Sequence, residues 1–202
     1  MHATWKSRDP ESNVVKTEFC VGTVPIGCQV KSMTILLPNA TDVSCDDCLL
    51  SHGRVYYVTI RVTNGAGLFT LATTDEIRVD LTAPFIGNVI PVTDVTQCVM
   101  NCTLAANVTV FKDEESGVKS CRYAIRNSTH LILDFVNNGL QETLEAKHLQ
   151  LVAGERYHII VRCENNVGLV TEKASTIPVL VDDTPPTKVS TTLKTRDPTH
   201  HR

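Results

Sequence analysis

The stretch Leu151-Val-Ala-Gly154-Glu-Arg-Tyr157, continuing through His158-Ile-Ile-Val-Arg-Cys163 to Asn165-Asn-Val-Gly168-Leu169, decides the fold. An Ala-Gly turn signal leads into an alternating run. Tyr157, Ile159, Val161 and Cys163 share one face, while His158, Arg162 and Glu164 fall on the other. The chain says the same thing 101 residues earlier: Leu50-Ser-His-Gly53-Arg-Val-Tyr56, then Tyr-Val-Thr-Ile-Arg-Val62, then Asn64-Gly-Ala-Gly67-Leu68. A repeat of that period within 202 residues predicts two domains, each long enough for a two-sheet β-sandwich with its own core.

Outward from those stretches, strands alternate with turn signals. In the first unit Trp5 reads as a buried strand residue before the Asp9-Pro10 turn, and Val14 to Val21 and Val30 to Leu37 read as strands. Leu68 to Val79 supplies the last strand, and Asp80-Leu-Thr82-Ala-Pro84 closes the unit. The second unit adds a strand over Phe85 to Val92 that the first lacks. Strands over 104–111, 118–126 and 131–136 follow, then a turn at Asn138-Gly139. Leu140, Leu144 and His148 sit at helical spacing, but a loop and short strand are preferred over 140–151 because the first unit has no helix there. Asp182-Asp-Thr184-Pro-Pro186 closes the second unit, and 187–202 reads as the start of a third repeat or a disordered tail. The expected domains are therefore 1–84, lacking its first strand, and 85–186.

Four signatures recur across the two units. They are an aromatic strand before an Asp-x-Glu-Ser turn (Trp5; Phe111), Leu-x-x-Gly-x-x-Tyr (Leu50, Gly53, Tyr56; Leu151, Gly154, Tyr157), Asn-x-x-Gly-Leu (Asn64; Asn165), and Asp-x-Thr-x-Pro. Together they resemble tandem fibronectin type III repeats of a large extracellular multi-repeat protein, over nearly the whole chain. The resemblance implies an all-β fold of two immunoglobulin-like sandwiches. It also implies a tyrosine corner, in which the Tyr ring fills the end of the sandwich and its hydroxyl ties down the preceding loop. It departs from the family in having no Trp in the second unit and in its dependence on disulfides.

Eight cysteines in a chain this size point to an oxidising compartment, yet residues 1–5 carry no export signal and no run is long enough to cross a membrane. A piece of a longer secreted protein or membrane-protein ectodomain reconciles these. In the family's layout Cys121 and Cys163 lie on neighbouring antiparallel strands and face inward. The first unit holds Thr17 and Val62 there, so the resemblance implies a Cys121–Cys163 bridge. Closing that loop of about 40 residues is worth about 4 kcal/mol in the chain-entropy account. Cys98 and Cys102 are left to each other. In the first unit Cys20–Cys28 with Cys45–Cys48 and a crossed pattern both remain open. The Cys45-Asp-Asp-Cys48 spacing suits a redox pair or, with Cys20 and Cys28, a zinc site. Its β context and the missing second knuckle disfavour both. Glycosylation sequons begin at Asn39, Asn101, Asn107 and Asn127.

No catalytic fingerprint, phosphate-binding loop, HExxH or Arg-Gly-Asp occurs, and no catalytic residue or cofactor is expected. Asp113-Glu-Glu115 with Asp182-Asp183 could in principle supply carboxylates to calcium at a domain junction. No Asp-x-Asp-x-Asp loop is present, and a solvated turn is the preferred reading. A net charge of −3 gives no case for nucleic acid, nor is membrane insertion expected. The expected function is a non-catalytic extracellular structural and interaction module, binding other proteins or neighbouring repeats through loops such as 127–130 and 137–139. The alternatives are a cytokine-receptor-type ectodomain, against which the missing Trp-Ser-x-Trp-Ser element counts, and an accessory part of an extracellular enzyme.

Overall fold

The computed structural model describes residues 1–190 and contains no helix among them; every regular element is a strand. His200 and His201, and residues 191–202 of the expected third repeat, lie outside the described residues. No strand forms over 187–190. By contacts the chain divides into two units. Unit 1 is Met1–Phe85 with Phe111–Ser120 and Cys163–Thr171. Unit 2 is Ile86–Val110, Cys121–Arg162 and the residues from Glu172 on.

Unit 1 is built from β1 (His2–Thr4), β2 (Val14–Gly22), β3 (Lys31–Leu36), β4 (Asp42–Ser44), β5 (Val55–Asn64), β6 (Phe69–Thr73) and β7 (Ile77–Arg78). One sheet pairs β1 with β4; the other runs β3-β2-β5-β6, with β7 also on β5. Ala3 and Cys45 from the first sheet meet Phe19, Val21, Tyr56, Val58 and Ile60 from the second in one buried cluster, so the core lies between the sheets. Period-2 alternation produces this: Tyr56, Val58 and Ile60 are two apart, and each buried apolar side chain contributes about 2 kcal/mol. Trp5 departs from expectation. The strand ends at Thr4, and Trp5 is only partly buried, packed at the rim of the core.

The remaining strands are β8 (Phe85–Ile86), β9 (Val89–Pro91), β10 (Val95–Thr96), β11 (Cys102–Val108), β12 (Phe111–Lys112), β13 (Val118–Arg126), β14 (Leu131–Gly139), β15 (Thr143–Leu149), β16 (Arg156–Asn165), β17 (Val170–Ala174) and β18 (Val179–Val181). One sheet runs β15-β11-β9. The other runs β10-β18-β16-β13-β14, with β17 on β16, and β8 pairs β12. The expected strand over Phe85 to Val92 is broken in two around Gly87 and Asn88, where the chain turns onto Thr109 and Val110. Residues 143–149 form a full strand in which Leu144 and Ala146 alternate inward and Leu149, beyond an irregularity in the pairing, is buried again. The helical spacing of Leu140, Leu144 and His148 has no structural meaning. Strand β14 runs on through Gly139, and the turn spans Asn138 to Gln141, closed by Gln141 N–H to Asn138 O. The observed turn thus sits one or two residues later than expected, because Gly139 takes its positive φ while still paired with Cys121.

Candidate functional site

In both repeats of the opening motif the tyrosine is buried and its hydroxyl accepts a backbone N–H from five residues upstream: Ser51 N to Tyr56 and Val152 N to Tyr157, each 2.9 Å. The glycine between takes φ of +73° at Gly53 and +81° at Gly154, a conformation side chains resist. Gly53 N–H bonds Val79 O and Gly154 N–H bonds Val181 O, stapling each corner to the last strand. The corner closes over a sheet ordered β3-β2-β5-β6 in unit 1, and over the equivalent β14-β13-β16-β17 in the second copy. The chain carries two copies of an all-β sandwich, each closed by such a corner.

No family model matches the chain, and a search of curated proteins finds no match. Among solved structures it is similar to the fibronectin(III)-like modules of Clostridium thermocellum CbhA. The identity is 13% over 87% of this chain and 82% of that one, with a TM-score of 0.46. It is also similar to the FN1-FN3 domains of chicken CNTN1, at 15% identity over 86% of this chain and 61% of that one, with a TM-score of 0.49.

Within each sandwich, the other signatures bond to one another. Asn64 accepts Ala66 N–H and Leu68 N–H with its carbonyl and donates its amide to Asp9, whose other oxygen accepts Ser12 N–H and Glu11 N–H. Asn165 repeats this with Val167 and Leu169, and its amide reaches Asp113 at 3.1 Å. That amide also donates to Asp80 at 2.8 Å and to Thr82 O at 3.0 Å, all within unit 1. Asp80 is buried. One of its oxygens accepts the N–H and hydroxyl of Thr82, the other the Ser116 hydroxyl and the Asn165 amide. Burial acts most strongly on the Asp113 carboxyl and pushes its pKa up. The N–H of Ser116, the Asn165 amide and the N–H of Gly117 outweigh it together and hold the group below its ordinary value.

The carboxylates that come within ligating reach of one another are Asp80, Asp113 and Glu115, not the expected set with Asp182 and Asp183. Asp182 instead caps its own turn, accepting the N–H and hydroxyl of Thr184. Each carboxylate has about four lone-pair sites, and those of Asp80 already meet four donors. His52 completes the surroundings: Nδ1 accepts Leu81 N–H, and Nε2 lies 3.5 Å from Glu115. What this arrangement does chemically is latch a turn, a hairpin and a boundary segment together.

All described cysteines are oxidised: Cys20 with Cys28, Cys45 with Cys48, Cys98 with Cys102, and Cys121 and Cys163 both disulfide-bonded. The uncrossed pattern in the first unit follows from topology. Cys20 and Cys28 flank the bend between β2 and β3, whereas Cys45 directly follows β4. Asp47, between Cys45 and Cys48, is taken up by Lys31. Of the sequon residues, Asn39, Asn101 and Asn107 are exposed. Asn127 is buried, and its carbonyl accepts the N–H groups of Thr129 and His130, so the loop offered for binding is folded onto its own sequon.

Two features escaped sequence reading. Glu18 is buried on β2, held between Arg61 and Lys16. A cleft of about 460 Å3 opens in unit 1 beside Trp5, Ile60, Val62, Thr70 and Ala72. Buried charge carries no pattern in sequence, and only the pairing register of β2 with β5 sets Glu18 opposite Arg61.

Proposed function

We propose that the chain is a non-catalytic extracellular structural and interaction module, one segment of a larger adhesion, matrix or receptor ectodomain organised as repeats over 1–84 and 85–186. The observation that supports it best is the state of the reactive side chains. The cysteines are committed to disulfides, and the carboxylates of buried Asp80 and half-buried Asp113 are spent on hydroxyl, backbone and amide donors. The His52 imidazole beside them is itself engaged, by Leu81 N–H at Nδ1 and by Glu115 at Nε2. Disulfides closing loops as short as Cys45 to Cys48 persist in oxidising surroundings and fit a secreted setting.

Mass analysis of secreted material with and without reductant tests the compartment. Reduction should add the mass of eight hydrogen atoms, two for each of the four disulfides of the eight cysteines. Free thiols at Cys121 and Cys163 in exported protein would overturn it. Turnover by the purified chain of ester, peptide or glycoside substrates, abolished by no contaminant-removing step, would overturn the non-catalytic reading.

A further inference from the structure

Alternation divides the longer sheet of the second copy into an inner and an outer face. Tyr123 points inward, where its hydroxyl donates to Glu145 O on the opposite sheet, and Tyr157, Ile159 and Val161 are buried on the same side. Arg122, Ala124 and Arg126 of β13 therefore face outward, together with Ile160 and Arg162 of β16. This copy supplies its own first strands, β8 and β9, and the face lies on the sheet that β9 does not join.

The centre of that face is packed. Phe135 of β14 stands between the paired positions Val136–Tyr123 and Leu133–Ile125, level with Ala124. Its ring centroid lies 3.9 Å from the Arg162 guanidinium, so the ring reaches across β13. Ala124 and Ile160 point outward yet are buried, as a ring in that position requires. On its other side Arg162 meets Glu172, with Nε at 2.9 Å and Nη2 at 2.7 Å from one carboxylate oxygen. Arg122 and Arg126 are not held in this way. Both are exposed, and among the described residues neither meets a carboxylate; Arg126 Nε donates to Asn127 O, and Asp134 accepts Phe135 N–H.

The first copy shows the same positions serving the fold. Thr17 and Val62 stand where Cys121 and Cys163 stand, so Glu18 and Arg61 stand where Arg122 and Arg162 do. Glu18 lies opposite Arg61 in register, buried, with Nη2 of the arginine at 2.6 Å. An arginine in place of that carboxylate sets like charges side by side, which destabilises a sheet. Nothing in the packing of the second copy calls for Arg122, and it stands in a chain whose formal charge is −3.

We infer that this outer face binds an extended acidic segment of another protein, two of whose carboxylates are taken by Arg122 and Arg126. The two arginines lie four residues apart on one strand, about 13 Å at about 3.3 Å per residue. An extended segment matches that span with acidic residues four apart. Its residue midway between them points the same way and falls on Phe135 over Ala124, so an apolar side chain fits there. Leu131, opposite Arg126 and 45% exposed, widens the apolar part. This apolar centre and the Glu172 carboxylate favour a peptide over a sulfated polysaccharide, whose anionic groups run throughout. Guanidinium–carboxylate pairs supply orientation and selectivity. The inference deepens the interaction-module reading and rests on it.

The test is a titration of the intact, isotope-labelled chain with the synthetic peptide Gly-Glu-Ser-Leu-Ser-Glu-Gly, followed by NMR. The side-chain N–H signals of Arg122 and Arg126 should shift saturably while that of Arg61 stays in place. The same peptide with both Glu changed to Gln should shift nothing. Arg122→Glu should weaken binding about tenfold, with a denaturation midpoint unchanged or raised, because it restores the charge that Glu18 carries in the first copy. No saturable shift at these arginines, or an equal shift with the Gln peptide, would overturn the inference. A lowered midpoint in Arg122→Glu would overturn it as well, since the arginine would then serve the fold. So would a sulfated oligosaccharide moving the same signals more strongly than the peptide, or their movement when the chain alone is concentrated, which would make a second copy the occupant. None of these outcomes alters the cysteine mass or the turnover assays, so the module reading fails or stands separately.

Discussion

Tyr157 is fully buried, so its hydroxyl needs a partner within the fold; it finds one in Val152 N–H. Removing it leaves that amide without its acceptor. Tyr157→Phe should lower stability by about 1 kcal/mol or more, read as a shifted denaturation midpoint with unchanged slope. An unshifted midpoint would sink the idea that the corner is held by that bond. Gly154→Ala tests the other half of the corner. No atom lies within 4 Å of a Cβ built there, so any loss comes from the φ of +81° alone, about 1 kcal/mol. Both residues were legible in the sequence, because a corner is specified by residues only a few positions apart. Burial of Asn165 and Glu18 was not legible: their partners Asp80 and Arg61 lie 85 and 43 residues away.

At the level of elements, the last hairpin is tied to the acidic turn in both copies, but unequally. Asn64 donates to Asp9 alone and is partly exposed, whereas Asn165 is fully buried and donates to Asp80, Asp113 and Thr82 O. Truncating Asn165 strands more buried oxygen. Asn165→Ala should therefore destabilise by about 3 kcal/mol and Asn64→Ala by about 1, compared by denaturant titration. Equal losses would mean that the additional contacts contribute nothing. Sequence patterning placed the strands well where one face alternates, as in β16. It failed at Trp5 and at Gly139, where the end of a strand depends on which neighbour continues the pairing.

Over the whole molecule, four carboxyls from separate places respond to acid in one direction. Asp9 is held low first by Ser12 N–H, Glu18 first by Lys16 and then by Arg61, and Asp182 first by the Thr184 hydroxyl. On Asp113 burial pulls upward, and its N–H and amide donors prevail. A lowered folded-state pKa means that the folded chain binds fewer protons than the unfolded one. The stability these groups add is therefore complete above their ordinary values of 3.8 and 4.5 and is lost as pH falls through the depressed ones. Thermal melts should be insensitive to these groups near neutrality and fall steadily below about pH 4; a midpoint constant down to pH 3 would contradict this. Glycan mapping of secreted protein should find sugar at the exposed Asn39, Asn101 or Asn107 and none at buried Asn127. An occupied Asn127 would mean the 127–130 loop opens.

By itself the sequence determined the repeat, the all-β class, the two tyrosine corners and the hairpins. Each of these is written in alternation or in motifs within about seven residues of one another. Only the tertiary structure decided how the cysteines of the first unit pair and which aspartate joins Asp113. Those outcomes depend on which distant strands become neighbours. That choice is set by burying a shared core, and no local spacing records it.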